Sequence, residues 1–251
     1  MKILFLDVEV APLTVHAWQL YDVTIGISQI MKSGFTICWS AKWVGDKKIY
    51  SASRYQTTAK EMLAPMHKLL DEADAIVTYN GKAFDMKILN KDFLLHGFKK
   101  PAPSKHIDLL QIMRSTFKFA SNKLDYVSQE LDLGKKLSTG GHQLWIDCMN
   151  GDEKAFRKMV RYNRHDVVLL EKLYLKVRPW IRDHPNIGLH KQRANVCTNC
   201  GSARLQARGY SRQIAATYKR FQCIDCGCWS RSAVSEQPRG SQKHIMRRIV
   251  S

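Results

Sequence analysis

The stretch Lys2-Ile-Leu-Phe-Leu-Asp7-Val-Glu9-Val10 decides the fold. Its apolar residues occupy both alternating positions, as in a strand covered on both sides. Residues two apart on a strand share a face, so Asp7 and Glu9 stand side by side at the end of an otherwise buried element. Two like charges that close repel unless a cation lies between them, and a hard divalent metal is the usual answer. A first strand that simply runs out into a polar turn is the alternative reading of the pair alone.

Working outward, Gly34–Val44 and Lys47–Ser53 read as two further strands joined as a hairpin around Gly45-Asp46. Met62, Leu63, Met66, Leu69 and Leu70 recur at helical spacing within Thr58–Glu72. Ala75–Tyr79 is a short β-rich run. Lys82–His96 reads as a helix closed by Gly97 at the position after its C-cap. Ile107–Leu110 reads as one more strand, followed by helices around Lys123–Leu131 and over Glu153–Trp180. Strands first, then strands alternating with helices, predict a mixed α/β sheet flanked by helices. At 251 residues the chain has room for one large domain and a small one.

Two more acidic positions stand out. Asp85, in Val77-Thr-Tyr-Asn80-Gly-Lys-Ala-Phe84-Asp85, lies in the first turn of a helix. A carboxylate there complements the helix dipole, and a strand-to-helix junction also aims it back over the sheet edge towards Asp7 and Glu9. Asn80 and Gly81 permit the tight turn this needs. In Arg161-Tyr162-Asn-Arg-His165-Asp166, Tyr162 and Asp166 are one helical turn apart on one face. A tyrosine hydroxyl so placed can orient a water near a metal-binding aspartate. A surface helix with an incidental acid is the alternative. Asp108 is a further acid, read as supporting or structural.

Taken in order, Asp7-x-Glu9, Asn80-x-x-x-Phe84-Asp85 and Tyr162-x-x-x-Asp166 resemble the three motifs of the DEDD exonucleases. The tyrosine resembles the DEDDy branch. The histidine branch would carry His five residues before the last Asp, where this chain has Arg161, while His165 stands out of register. The resemblance covers about residues 1–182 and looks closest to stand-alone exonucleases related to the family B DNA polymerase proofreading domain. It implies a ribonuclease H-like fold and two-metal phosphodiester hydrolysis from a 3′ end, with DNA favoured over RNA. By position, Asp7, Glu9, Asp85 and Asp166 would hold two Mg²⁺ or Mn²⁺ ions. Tyr162 would orient the attacking water, and Asn80 and Phe84 would contact the nucleic acid. The glycine-rich spacer Ser138-Thr-Gly-Gly-His142 matches no phosphate-cradling motif and reads as a mobile loop.

Near Ile181 the character changes. Asp183-His-Pro-Asn-Ile-Gly188 opens a linker over 183–194, which separates an exonuclease-like domain (1–182) from a zinc-ribbon-like segment (195–232). Cys197-Thr-Asn-Cys200-Gly and Cys223-Ile-Asp-Cys226-Gly, with 22 residues between them, have the spacing of a four-thiolate structural Zn²⁺ site. Cys228 competes with Cys226 for the fourth place. Cys38 and Cys148 read as small buried apolar residues. Between and beside the pairs, Arg208, Tyr210, Arg212, Lys219 and Arg220 mix cations with aromatic rings, a pattern that suits phosphates and stacked bases. Protein contact is the other use of such a module. A basic mobile tail is expected over 233–251.

The chain's formal net charge is +18, and residues 191–251 alone carry 12 Lys or Arg against Asp225 and Glu236. That excess favours a polyanionic partner, nucleic acid first. No apolar run is long enough to span a bilayer and no secretory signal is visible, so the expected compartment is the cytoplasm. Two readings remain beside the exonuclease: a structure-specific endonuclease on the same fold, and a non-catalytic nucleic-acid-binding protein that keeps the fold as a scaffold.

Overall fold

In chain order the elements are β1 (Ile3–Val10), β2 (Thr14–Val15), β3 (Ile30–Lys32), β4 (Thr36–Trp43), β5 (Ile49–Ser53), α1 (Ala59–Glu72), β6 (Ala75–Thr78), α2 (Asp85–Leu95), β7 (Lys105–Asp108), α3 (Leu109–Thr116), α4 (Leu124–Glu130), α5 (Gln143–Met149), α6 (Glu153–Val177), α7 (Ile187–His190), β8 (Leu205–Arg212), β9 (Thr217–Cys223) and β10 (Trp229–Arg231). They belong to a computed structural model that describes residues 1–190, 192 and 194–237. Compactness divides the chain into residues 2–175 and a unit that starts at Lys176.

In the larger unit the sheet order is β5-β4-β1-β6-β7. β1 runs antiparallel to β4 and parallel to β6, so the sheet is mixed and β1 is its centre. Alternation along β1 then sorts the layers. Leu4, Leu6 and Val8 join Trp39, Met62, Leu63, Met66, Leu70, Leu89 and Phe93 in a core beneath α1 and α2. Phe5, on the opposite face, meets Tyr174 of α6 edge-on with ring centroids 5.2 Å apart. Asp7 and Glu9 share the Phe5 face, and parity alone therefore turns them towards α6. A second cluster, with Ile37, Cys38, Leu144, Cys148, Phe156 and Met159, packs α5 and the start of α6 beside them.

Local chemistry sets the element ends. Thr58 and Glu61 form a reciprocal capping box that starts α1: the Glu61 amide donates to Thr58 Oγ1 (3.2 Å), and the Thr58 amide to Glu61 Oε2 (2.8 Å). The strand expected over Ile107–Leu110 ends at Asp108, because the Asp108 carboxylate accepts the Leu110 amide (3.1 Å) and caps α3 instead. The helix expected from Lys82 begins at Asp85, since residues 80–84 form a turn in which the Ala83 and Phe84 amides donate to the Asn80 carbonyl. At the far end of α6, Pro179 cannot supply an α-helical amide, and Arg178–Trp180 tighten into a 3₁₀ turn.

In the unit from Lys176, β8, β9 and β10 form an antiparallel sheet in the order β10-β9-β8. A bulge between Ala207 and Tyr210 breaks the β8–β9 register, with Gly209 at φ +71°. Ile187–His190 make one helical turn inside the stretch read as a linker. From residue 238 the basic tail lies outside the described residues. Among the described residues no helix is long and apolar enough to cross a membrane.

Candidate active site and cysteine cluster

Asp7 and Glu9 leave β1 on the α6 side, and Asp166 comes down from α6 to meet them. One carboxylate oxygen from each lies within 4.8 Å of the others. Asp166 is almost completely buried, and its Oδ1 accepts no hydrogen bond. Asp85 sits beside this trio rather than within it, its Oδ1 accepting the Val8 amide of β1 at 3.0 Å. Burial pushes all four carboxyls up, and their mutual repulsion adds to the effect for Asp7 and Glu9. Glu9 reaches about 7 and Asp85 about 6, while Asp7 rises well above its usual range. Four crowded acids and an orphaned buried oxygen are a donor set that fits a hard divalent cation.

Four neighbours have roles that the sequence reading did not give them. Lys136, from the loop before α5, extends its Nζ to Asp166 Oδ2 (2.5 Å) and to the Tyr162 hydroxyl (3.0 Å). Burial alone would lower this ammonium, but the Asp166 carboxylate more than offsets it, and the group stays firmly protonated. His165, out of register for the chemistry, has a ring nitrogen 2.8 Å from the Lys135 carbonyl and so tethers the loop that delivers Lys136. Asn163 is fully buried and donates through Nδ2 to Asp7 Oδ2 at 2.6 Å. Its position three residues before Asp166 puts it on the same helix face, a signal present in the sequence. Trp145 of α5 hydrogen-bonds the Glu9 carboxylate. Tyr162 itself is half-buried, and burial raises its hydroxyl to about 12.

The turn that presents Asp85 is held by Asp108. Its two oxygens accept the Asn80 amide (2.9 Å) and the Lys82 amide (3.1 Å). Asn80 takes φ +68°, and a Cβ on Gly81 would fall 2.4 Å from the Thr78 side chain, so only glycine fits there. Asn80 and Phe84 are both exposed on this turn.

Cys197, Cys200, Cys223 and Cys226 converge, with all four sulfurs within 4.8 Å of one another. The Cys197–Cys226 and Cys200–Cys223 sulfurs are each 3.6 Å apart. Four thiolates about 2.3 Å from one ion at tetrahedral angles stand about 3.8 Å apart, so the set fits a single Zn²⁺. Both pairs turn in the same way. The Gly201 amide donates to the Cys197 carbonyl and the Gly227 amide to the Cys223 carbonyl, each at 2.9 Å. Cys228 stays outside the four, its thiol on the Trp229 carbonyl. Cys38 and Cys148 are buried in the apolar cluster under α5.

The basic residues of this sheet do not form one patch. Cross-strand pairing places Tyr210 opposite Lys219 and Arg212 opposite Thr217, on one face. Arg220 lies on the other, its guanidinium 4.6 Å from the Trp229 ring and donating to the Arg208 carbonyl (3.0 Å). Arg231 stacks over Tyr218 on that same face at 3.9 Å.

Residues 4–178 match the family described as RNase_H_2, of the RNase_H superfamily. Among solved structures, the chain is similar to the family B DNA polymerase from the hyperthermophilic archaeon Pyrobaculum calidifontis, with a TM-score of 0.54 and 17% identity. That likeness covers 71% of this chain and 24% of the polymerase, so the chain spans about a quarter of that relative's length. The comparison with curated proteins returned no match.

Proposed function

The chain belongs to the RNase_H superfamily, and on that premise we propose that it is a metal-dependent 3′–5′ exonuclease of the DEDDy type, acting on DNA in preference to RNA. The observation that carries the reading is the convergence of Asp7, Glu9 and Asp166, one carboxylate oxygen of each within 4.8 Å of the others, with Asp166 Oδ1 left unpartnered. The 3′–5′ direction rests on the order and spacing of the three motifs, with Tyr162 in the third. Asp7, Glu9, Asp85 and Asp166 would hold divalent Mg²⁺ or Mn²⁺, which supplies an activated water and charge stabilisation at the scissile phosphate.

The chain's own groups do the rest. Asn163 fixes the rotamer of Asp7, and Asp108 fixes the turn that aims Asp85. Lys136 donates to the Tyr162 hydroxyl, which also hydrogen-bonds the Asp166 carboxylate, so the oxygen is pinned beside a metal-binding acid, where it can direct a water. The Lys136 ammonium also places positive charge where a phosphate gains negative charge. Cys197, Cys200, Cys223 and Cys226 would bind one structural Zn²⁺ in a ribbon whose basic faces hold nucleic acid through phosphate contacts and stacking on Trp229 and Tyr210. Such contacts read backbone and not sequence, which implies strong salt dependence.

A gel time course on 5′-labelled single strands and duplexes, as DNA and RNA with Mg²⁺, Mn²⁺ or EDTA, tests the proposal. A metal-dependent ladder that shortens from the 3′ end is expected. Cleavage of a closed circle would make the protein an endonuclease, and gel-shifted but intact nucleic acid would make it a binding module.

A further inference from the structure

An open cavity of about 420 Å³ lies between the end of β5 and the first half of α6. Its floor is apolar: Phe156 is buried, Tyr55 and Val160 are half-buried, and the Tyr55 and Phe156 ring centroids are 5.5 Å apart. Its rim is cationic. Arg157, Arg161 and Arg164 are all exposed there, and the one acid, Glu153, is already in an ion pair with Arg157. Arg164 donates to the Ser51 hydroxyl of β5 (3.2 Å), while among the described residues Arg161 has neither a hydrogen bond nor an ion pair. Helical geometry separates this rim from the acids. At about 100° per residue the three arginines cluster on one side of α6, and Tyr162, Asn163 and Asp166 fall about 130–170° away from them. The chemistry at the carboxylates therefore leaves these arginines without a task.

Beside them β5 is the edge of the sheet, and among the described residues no strand pairs with its outer side. The Arg54 amide donates to the Ile37 carbonyl next to β4 (2.8 Å), and bonded pairs alternate along an antiparallel ladder. Ala52 and Tyr50, opposite Trp39 and Ala41, thus also bond inward, and the backbone groups of Ser51 and Ser53 point outward. The Ser53 carbonyl accepts the Thr57 hydroxyl (2.7 Å), so the Ser51 amide and carbonyl and the Ser53 amide are left facing out.

We propose that this edge and cavity dock an extended acidic peptide of a partner protein. The peptide adds to β5 as a strand, sets one aromatic or aliphatic side chain on Tyr55, Phe156 and Val160, and pairs flanking carboxylates with Arg161 and Arg164. Residues two apart on a strand share a face, so the pattern acid-x-apolar-x-acid puts all three side chains on the α6 side. The guanidinium fork takes each carboxylate through two hydrogen bonds. A nucleic-acid strand would use the arginines but not the backbone edge. The proposal stands apart from the nuclease reading, since none of these residues belongs to the acidic cluster.

Fluorescence polarisation with the full chain and a labelled peptide, Asp-Ser-Phe-Ser-Asp, reads the docking. Three controls, labelled alike, should each bind about tenfold or more weaker: Asp-Ser-Ser-Ser-Asp, Lys-Ser-Phe-Ser-Lys, and the acidic peptide methylated on its backbone nitrogens. They remove the anchor, the charge and the strand pairing in turn. Arg161→Ala should weaken the acidic peptide about tenfold with the thermal midpoint unchanged, and Arg161→Lys should recover part of the loss, because lysine keeps the charge but not the fork. Absence of saturable binding, equal affinity for the acidic and lysine peptides, or affinity untouched in both Arg161→Ala and Arg164→Ala overturns the proposal. So does displacement of the peptide by pentathymidylate together with a raised KM for strand hydrolysis in Arg161→Ala, which would give the groove to nucleic acid. Peptide binding through Arg161 in a protein that hydrolyses nothing keeps the docking site and removes the nuclease.

Discussion

The acidic cluster and the cysteine cluster stand in opposite relations to the structure around them. Asp7, Glu9 and Asp166 are mounted on a buried central strand and a 25-residue helix that pack without their help through Phe5, Tyr174 and the apolar cores. The carboxylates work against that fold: burial pushes each of them up, and repulsion from the other acids adds to it for Asp7 and Glu9. Around Cys197, Cys200, Cys223 and Cys226 there is almost nothing else to pack: β8 is exposed along nearly its whole length, and Cys223 is the one buried residue in β8–β10. In the first region the fold makes the site. In the second the site makes the fold. A metal therefore has a different duty in each, relieving repulsion in one and replacing a missing core in the other.

The largest expected effect breaks this contrast or keeps it. Cys197→Ser with Cys223→Ser should unfold the β8–β10 sheet outright, because metal binding supplies about 10–16 kcal/mol in comparable small zinc modules. Hydrogen exchange should then show loss of protection over residues 205–231 with residues 2–175 unchanged. A sheet that stays protected without its thiolates would mean that it has a core of its own.

Next in size is Asp7→Asn. It should cut hydrolysis by about 10³-fold or more, since a metal ligand is lost where charge develops. The same change should leave the thermal midpoint of residues 2–175 level or raised, because one repelling charge is gone. A variant that loses both activity and fold would place Asp7 among the structural residues, like the cysteines.

How far each region could be read from sequence follows from the same contrast. Asp7, Glu9, Tyr162 and Asp166 were legible because strand and helix periodicity dictates which residues share a face. The cysteine pairs were legible because the thiolate spacing has few other uses. Lys136 was not, since it arrives from a loop with no periodicity and is one of 40 Lys or Arg. The start of α2 was hidden by a turn whose stabilising acceptor, Asp108, lies 26 residues after Lys82 in the chain. The short strands β2 and β3, and the seven-residue α5, are too brief for a hydrophobic period to register. The division of basic residues between two sheet faces depends on the bulge at Gly209, which composition does not reveal.

Lys136→Met sharpens the electrostatic half of the comparison. Its ammonium is the internal cation of the acidic cluster, so its removal should tighten the first divalent ion while slowing hydrolysis about 10²-fold. Calorimetry and turnover together check the opposed signs. Acidity offers a second handle. Glu9 rises from 4.5 to about 7 and Asp85 from 3.8 to about 6 on folding. Between the unfolded and folded values the native state holds more protons, so the metal-free unit should lose stability as pH rises from about 4 to about 7. Saturating Mg²⁺ should flatten that slope in denaturant titrations. A slope of the opposite sign would mean that the acids are paired rather than repelling.

The smallest effect is Tyr162→Phe. The ring packs beside the α5–α6 cluster, so the fold should not notice the loss of one oxygen. The hydroxyl accepts from Lys136 at 3.0 Å, and without it the ammonium keeps Asp166 as a partner, leaving the acidic cluster intact. Metal affinity should therefore stay within about twofold, while the chemical step slows by about 10- to 100-fold through a less well-directed water. Single-turnover rates at saturating metal measure the second quantity and calorimetry the first. If both move together, the tyrosine acts by supporting the metal ligands; if neither moves, its hydroxyl serves only to anchor Lys136.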